Sequence, residues 1–253
     1  MLELYHWRPV SHSLKVLICL GEAGVEYRSH FVDVLAFEQF DEAFLAMNPA
    51  GQVPVLVADG ESMTESSLIN EYLAERFPEA RLAPTDPLGW YECQSWSKFV
   101  DYNLSSSVAT LGCREFLVPY LEDRDPEDVR AAIEAIPVAE RRPGWLDAAE
   151  NSYSDDALAD SRRKISLVVE RAERRLTASG WLVGDACSIA DFNTFAMLYT
   201  AAAITPALVR GEHAPNLGRW LDAVAERPAV RAVLAGDEHG KGFAPGPEHS
   251  RWG

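Results

Sequence analysis

The sequence predicts a small α/β domain followed by an all-helical one. Strand and helix signals alternate from Leu2 to Phe77, and no strand pattern recurs beyond the proline-punctuated stretch Pro78 to Pro87. The 253 residues, 47% hydrophobic and 25% charged, suffice for one large core or two modest ones.

Leu2-Glu3-Leu4-Tyr5 alternates as a short strand. Ser11 to Ala23 has helical spacing, with Leu14, Leu17, Ile18 and Leu20 on one face and Gly24 as the stop. Val25 to Val34 holds a second strand, and Phe37 to Met47 reads as a short amphipathic helix. Gln52 to Val57 is a strand opened by a proline. Asp59-Gly60 turns it into a fourth strand at Ser62-Met63-Thr64. Ser66 to Phe77 is a third helix, completing the order β-α-β-α-β-β-α over residues 1–78. Residues 88–253 form the helical domain. Leu88 to Leu121 reads as one long helix, and Arg124 to Ser154 is mixed. Further helices are predicted over 155–179, 188–203 and 216–225, and the tail from Gly236 reads as loop.

Charge and cysteine usage exclude several function classes. Lys and Arg total 23 against 39 Asp and Glu, a net charge of −16, which disfavours nucleic acid and anionic membrane surfaces as partners. The start carries an acid and no basic segment, and Lys15 interrupts the next apolar stretch, so a secretory signal is not expected. The nearly uncharged run from Phe192 to Val209 reads as a buried helix rather than a membrane span. Cys19, Cys93, Cys113 and Cys187 lie at neither metal nor redox spacing. They are expected as buried thiols in a reducing cytosol, with no metal site.

Four short segments carry candidate chemistry. A cis bond at Val53-Pro54 turns the Val53 backbone outward, where a peptide-like ligand can pair with it; the plain alternative is an edge proline. In Thr64-Glu65-Ser66-Ser67, Ser66 is a candidate N-cap, and the helix start attracts a carboxylate. Glu65 beside it suits an ammonium, so the segment matches an amino-acid zwitterion; Glu65 alone reads as a solvated loop acid. In Ser11-His12-Ser13, a hydroxyl at a helix N-terminus can donate to a thiolate and lower its pKa; simple capping is the alternative. No G-x-S-x-G elbow points to a serine hydrolase. Ser188-Ile189-Ala190-Asp191 reads as a structural capping box, with Cys187 and Phe192 as its staple.

In this order and spacing, these segments resemble the glutathione transferase family over the whole chain. The resemblance implies a thioredoxin-like first domain and glutathione as co-substrate. It implies that Val53, beside cis-Pro54, pairs with the cysteinyl unit, and that Glu65 and Ser66 hold the γ-glutamyl ammonium and carboxylate. Gln39, with Gln52, would approach the glycyl carboxylate. His6 and His12 stand where other classes carry tyrosine or cysteine, which leaves serine as the activating residue: Ser13, because it opens the helix, then Ser11.

A narrower resemblance is to the bacterial β-etherases of lignin breakdown. It rests on Ser13-Leu14-Lys15, Phe31-Val32-Asp33, Phe37-Glu38-Gln39, Asn48-Pro49, Pro84-Thr85-Asp86-Pro87, Lys98-Phe99-Val100-Asp101 and an inserted stretch from Ile136 to Arg163. It implies thiolate attack on the β-carbon of a β-O-4 aryl ether, releasing a phenol. Other transferase-type chemistry, or glutathione binding without catalysis, are the alternatives. Trp90, Tyr91, Trp96, Phe99 and Tyr102 are mostly core or interface by spacing. Trp7, Arg8, Asn103, Ser107 and Trp145 are candidates for the aromatic cleft, although Arg8 reads most simply as solvated. The family also implies a cytoplasmic homodimer paired through the first helix of the second domain. Glutathione is itself anionic, so its recognition by this acidic chain must be local, and added salt is not expected to weaken it.

Overall fold

The computed structural model describes residues 1–236, so the expected tail loop lies outside the described residues beyond Gly236. The chain opens with β1 (Leu2–His6), α1 (Ser11–Ala23), β2 (Tyr27–Phe31), α2 (Glu42–Met47), β3 (Val55–Ala58), β4 (Glu61–Met63) and α3 (Ser66–Arg76), the expected order. The sheet runs β2-β1-β3-β4, with β1 parallel to β2 and antiparallel to β3. Asp59 (φ 54) and Gly60 (φ 92) form the left-handed pair that a tight hairpin between β3 and β4 requires. Leu2 and Leu4 of the central strand share one core with Leu14 and Ile18 of α1 and Ile69 and Leu73 of α3. Gly24 ends α1 at φ 65, its N–H reaching back to the carbonyls of Gly21 and Leu20.

The single helix expected over Phe37 to Met47 is divided. Phe37 sits at φ 64 with its ring buried, a 3-10 turn covers Glu38–Phe40, and extended Asp41 separates that turn from α2. Asp33 Oδ1 accepts the N–H groups of Leu35 and Ala36 and holds the loop that leads in. The third strand begins at Val55, so Gln52, Val53 and Pro54 lie in the loop before it.

The second half is helical throughout. α4 (Pro87–Gly112) passes through a wide π-helical turn at Cys113–Leu117 into α5 (Val118–Glu122), where one continuous helix was expected. Pro119 has no N–H for the α-helical ladder, which accounts for the change of winding beside it. α6 (Pro126–Glu134), α7 (Arg142–Ala149), α8 (Asp155–Ala178), α9 (Ile189–Ile204), α10 (Pro206–Val209), α11 (Pro215–Ala225) and α12 (Pro228–Ala235) follow. The run Phe192 to Val209, expected as one buried helix, divides at Thr205-Pro206 into α9 and α10, whereas α12 has no counterpart in the sequence reading; α10 and α12 each open on a proline in the first turn, a usable start signal.

The capping box at α9 forms as expected and reaches further. Asp191 is fully buried and accepts from the Ser188 N–H and hydroxyl, the Leu182 N–H and the Trp220 indole, at 3.0 to 3.2 Å. Burial pushes its carboxyl up to about 6, and the four donors oppose that rise.

Two packing units join the halves. The large core continues from the sheet into α4, α8, α9 and α11. A smaller one packs Leu35, Phe37 and Phe40 against Val118, Ile133 and Ile136, so α5, α6 and the turn after α6 sit on the loop after β2. A polar seam runs between α1, α3, α4 and α9. The fully buried Lys15 ammonium donates to Asp101 on α4 and to Ser67 on α3 (3.3 Å), and the Ser67 hydroxyl donates to the other Asp101 oxygen (2.6 Å). Asn70 Nδ2 bonds the Lys15 carbonyl (3.1 Å) and Asn193 Oδ1 (2.7 Å), and Asn193 Nδ2 donates to Ser97 (2.9 Å). His12 extends the seam, its Nδ1 lying 3.1 Å from Ser66 Oγ.

Two outcomes follow. Asp101→Ala should cost about 3 kcal/mol, because it strands a buried ammonium, whereas Lys15→Met should cost clearly less, because Asp101 can turn to water. Equal losses in urea unfolding would contradict this. His12 is neutral in the fold: burial, then the Lys15 charge, lower its pKa from 6.5 to about 4, with Asp101 opposing. Below pH 6.5 the unfolded chain takes up the proton first, so this stability is full above 6.5 and lost as pH falls toward 4. Stability measured across that window should fall less steeply in His12→Asn.

Candidate active site

A cavity of about 270 Å³ opens where the β1–α1 turn meets the loop before β3 and the inserted helices. Ser13, Gln39, Val53, Arg141 and the two indoles of Trp7 and Trp145 line it. Local geometry explains why the loop comes so close. Gly51 sits at φ 59, and a Cβ there would lie 2.5 Å from the Phe40 ring, so only glycine permits this approach. Asn48 braces the same loop, accepting the Ala50 N–H (3.1 Å) and donating to the Gln52 carbonyl (2.7 Å).

The Val53-Pro54 bond is cis, as the family resemblance implies and not the plain edge proline that was the alternative. The N–H and C=O of Val53 have no hydrogen-bond partner among the described residues. That leaves one residue's worth of strand edge on the cavity wall, able to pair with an extended backbone.

The two serines differ. α1 starts after an extended Val10 with no side-chain cap, so neither serine caps it. Ser13 is 3% exposed and its Oγ accepts the Trp7 N–H at 3.3 Å, which leaves the hydroxyl proton to be donated. Ser11 is the first helical residue at φ 50; its N–H bonds Thr200 Oγ1 (2.8 Å) and its hydroxyl donates to Met197 Sδ (3.4 Å). The Ser11 proton is thus directed at α9.

At α3 the expectation for Ser66 needs correction. Glu65 occupies the N-cap position at φ 67, and Ser66 is the first helical residue, its hydroxyl turned to His12. The Glu65 side chain is exposed, with no ion pair among the described residues. Gln39 is buried; its Nε2 donates to the Val34 carbonyl (3.3 Å) and its Oε1 is without a partner. Gln52 is exposed at the rim.

Of the other cleft candidates, Trp7 and Trp145 line the cavity and Asn103 and Ser107 do not. Those two bond the Phe99 and Asn103 carbonyls of their own helix. Arg8 is not solvated: it is 3% exposed, 5.5 Å from the Trp7 ring centre, beside a second cavity of about 320 Å³ against α12. Trp96 is core, as its spacing suggested, while Tyr91 and Tyr102 are exposed. Sequence reasoning gave no role to His12 or Arg141, and both line the cavity. Burial pushes all four cysteine thiols up, so none is a thiolate at neutral pH.

The N-terminal domain model of glutathione S-transferase matches residues 1–75, and its C-terminal domain model matches residues 112–228. Protein LigF of Sphingobium sp. strain SYK-6 is 35% identical over 92% of this chain and 93% of its own. The crystal structure of the β-etherase LigF superposes with a TM-score of 0.85, covering 92% of this chain and 98% of that one at 34% identity. Maleylacetoacetate isomerase of Pseudomonas aeruginosa is 28% identical over 91% of this chain and 94% of its own. A family member from Pseudomonas fluorescens, solved with two glutathione molecules bound, shares the fold at a TM-score of 0.70 and 21% identity over 92% of this chain and 91% of that one. With both domain models matched in order along one chain, this protein is a member of the glutathione S-transferase family of enzymes.

Proposed function

We propose that this enzyme cleaves β-aryl ether bonds of lignin-derived aromatics with glutathione as co-substrate. The observation that carries the reading is one cavity wall holding three things together. They are a serine with its proton free to donate, an unpaired backbone at Val53, and two indoles, one supplied by the inserted helix α7. The similarity to LigF supports the same chemistry.

Glutathione lies extended along Val53. Glu65 takes its α-ammonium, and the N–H groups at the start of α3, with Ser66, take its α-carboxylate. Gln39 and Gln52 stand toward the glycyl end. The Ser13 hydroxyl and the N-terminus of α1 stabilise the thiolate, so no charged base is needed. The thiolate attacks the β-carbon: a C–S bond forms, the C–O bond breaks, and the aryl oxide leaves and takes a proton from water. Trp7 and Trp145 hold the aryl groups by stacking and edge contacts beside the thiolate. Residues 1–78 thereby hold glutathione and contribute Trp7, and the helical domain, 88–253, completes the aromatic wall with Trp145.

The exposed Leu68 on α3 and Leu88, Tyr91 and Tyr102 on α4 support a homodimer through these helices. The four unpaired cysteines suit a reducing cytoplasm. A second reading, another transferase or isomerase reaction at the same thiolate, is favoured by the similarity to maleylacetoacetate isomerase.

With glutathione and a racemic β-O-4 dimer, the enzyme should release one phenol per glutathione consumed. No release from either enantiomer would overturn the etherase reading, and turnover of other electrophiles would then support the second. Light scattering should give a dimer mass that Tyr91→Glu reduces to a monomer.

A further inference from the structure

The cavity is sorted by charge in a way the composition does not suggest. The chain carries a net charge of −16, yet no carboxylate lines the cavity among the described residues. Its two ionisable wall residues are His12, neutral with a pKa of about 4, and Arg141. The wall therefore carries one positive charge.

Arg141 ends the 3-10 turn Ala139–Arg141, just before α7 in the inserted segment. Its Nε donates to the Ala50 carbonyl at 3.0 Å, three residues before Val53. That bond fixes the guanidinium plane, while the two Nη groups have no hydrogen-bond or ion-pair partner among the described residues. A guanidinium held in this way presents a preorganised fork to a planar anion. The neighbouring amide adds a second observation. Buried Gln39 has spent its Nε2 on Val34, and its remaining Oε1 is an acceptor. An acceptor suits a ligand N–H and repels a carboxylate.

We propose that Arg141, and not Gln39, binds the glycyl carboxylate of glutathione, with the Gln39 Oε1 accepting the glycyl N–H. This rests on the reading of the cavity as the glutathione site. Glutathione has three charged groups, and the α-ammonium and α-carboxylate are met at α3. The glycyl carboxylate is the one left for Arg141, the cation of the cavity wall. The inserted helices thus act as a specificity element for the co-substrate as well as an aromatic wall.

Calorimetric binding of glutathione and of its glycyl ethyl ester tests this. The wild-type enzyme should bind the ester about ten- to a hundredfold more weakly, the loss expected for one charge-assisted pair. Arg141→Gln should bind both ligands within about twofold of each other, and Arg141→Lys should recover part of the preference. Loss of the Ala50 anchor alone would weaken both ligands alike and preserve their ratio. An Arg141→Gln enzyme that keeps the wild-type preference for the free acid would overturn the assignment while leaving the glutathione site intact. A wild-type enzyme that binds neither ligand would remove both.

Discussion

A lysine ammonium with no exposure to water must be neutralised where it sits, and Lys15 is neutralised from the other half of the chain. Burial drives its pKa down, and Asp101 on α4 opposes that shift. The pair therefore ties α1 to α4 at a fixed distance, with Ser67 clamping α3 into the same group. Buried ion pairs add little net stability against an apolar substitute, but they penalise misalignment heavily. Here the alignment they enforce is that of α1 and α3, whose first turns carry Ser13 and Ser66.

The consequence is a site assembled from helix starts and loops, each pinned from behind. His12 joins the two helix N-termini through Ser66, Asn48 and Phe40 set the loop before β3, and Trp145 packs edge-on against Phe37 at 4.6 Å between ring centres. None of this requires a protein-borne nucleophile. The cysteines are held protonated by burial, and the wall offers a hydroxyl donor and dipoles instead. The acidic surface remains unfavourable to an anionic co-substrate at long range. The local answer includes Arg141, a full positive charge where composition pointed only to neutral donors, so salt screening acts on attraction inside the cavity as well as on repulsion outside it.

What was legible in the chain follows periodicity and punctuation. α1 runs from Ser11 to Ala23 as its apolar spacing and Gly24 dictate, and the cis bond sits at Val53-Pro54. Phe37 hid the break in the second helix, because its left-handed backbone is imposed by burial of its ring against the inserted helices. Glu65 hid for a related reason: φ 67 at a non-glycine carries no local signal, so the N-cap was placed one residue late. Arg8 carries no local sign of burial: it lies beside a cavity walled by α12, a helix signalled in the sequence only by Pro228. Arg141 is separated from Ala50 by 91 positions, and only the packing of the small second core brings the two together.

Thiol activation by a neutral hydroxyl is the step on which the chemistry turns. An ultraviolet titration of glutathione bound to the wild-type, Ser13→Ala and Ser11→Ala enzymes measures it directly. The bound thiol should ionise below the usual value of about 8.5 in the wild type. It should ionise at higher pH in Ser13→Ala and be unchanged in Ser11→Ala, whose hydroxyl is already given to Met197. An unchanged titration in Ser13→Ala would contradict serine-based activation and leave the task to backbone N–H groups or to Ser11.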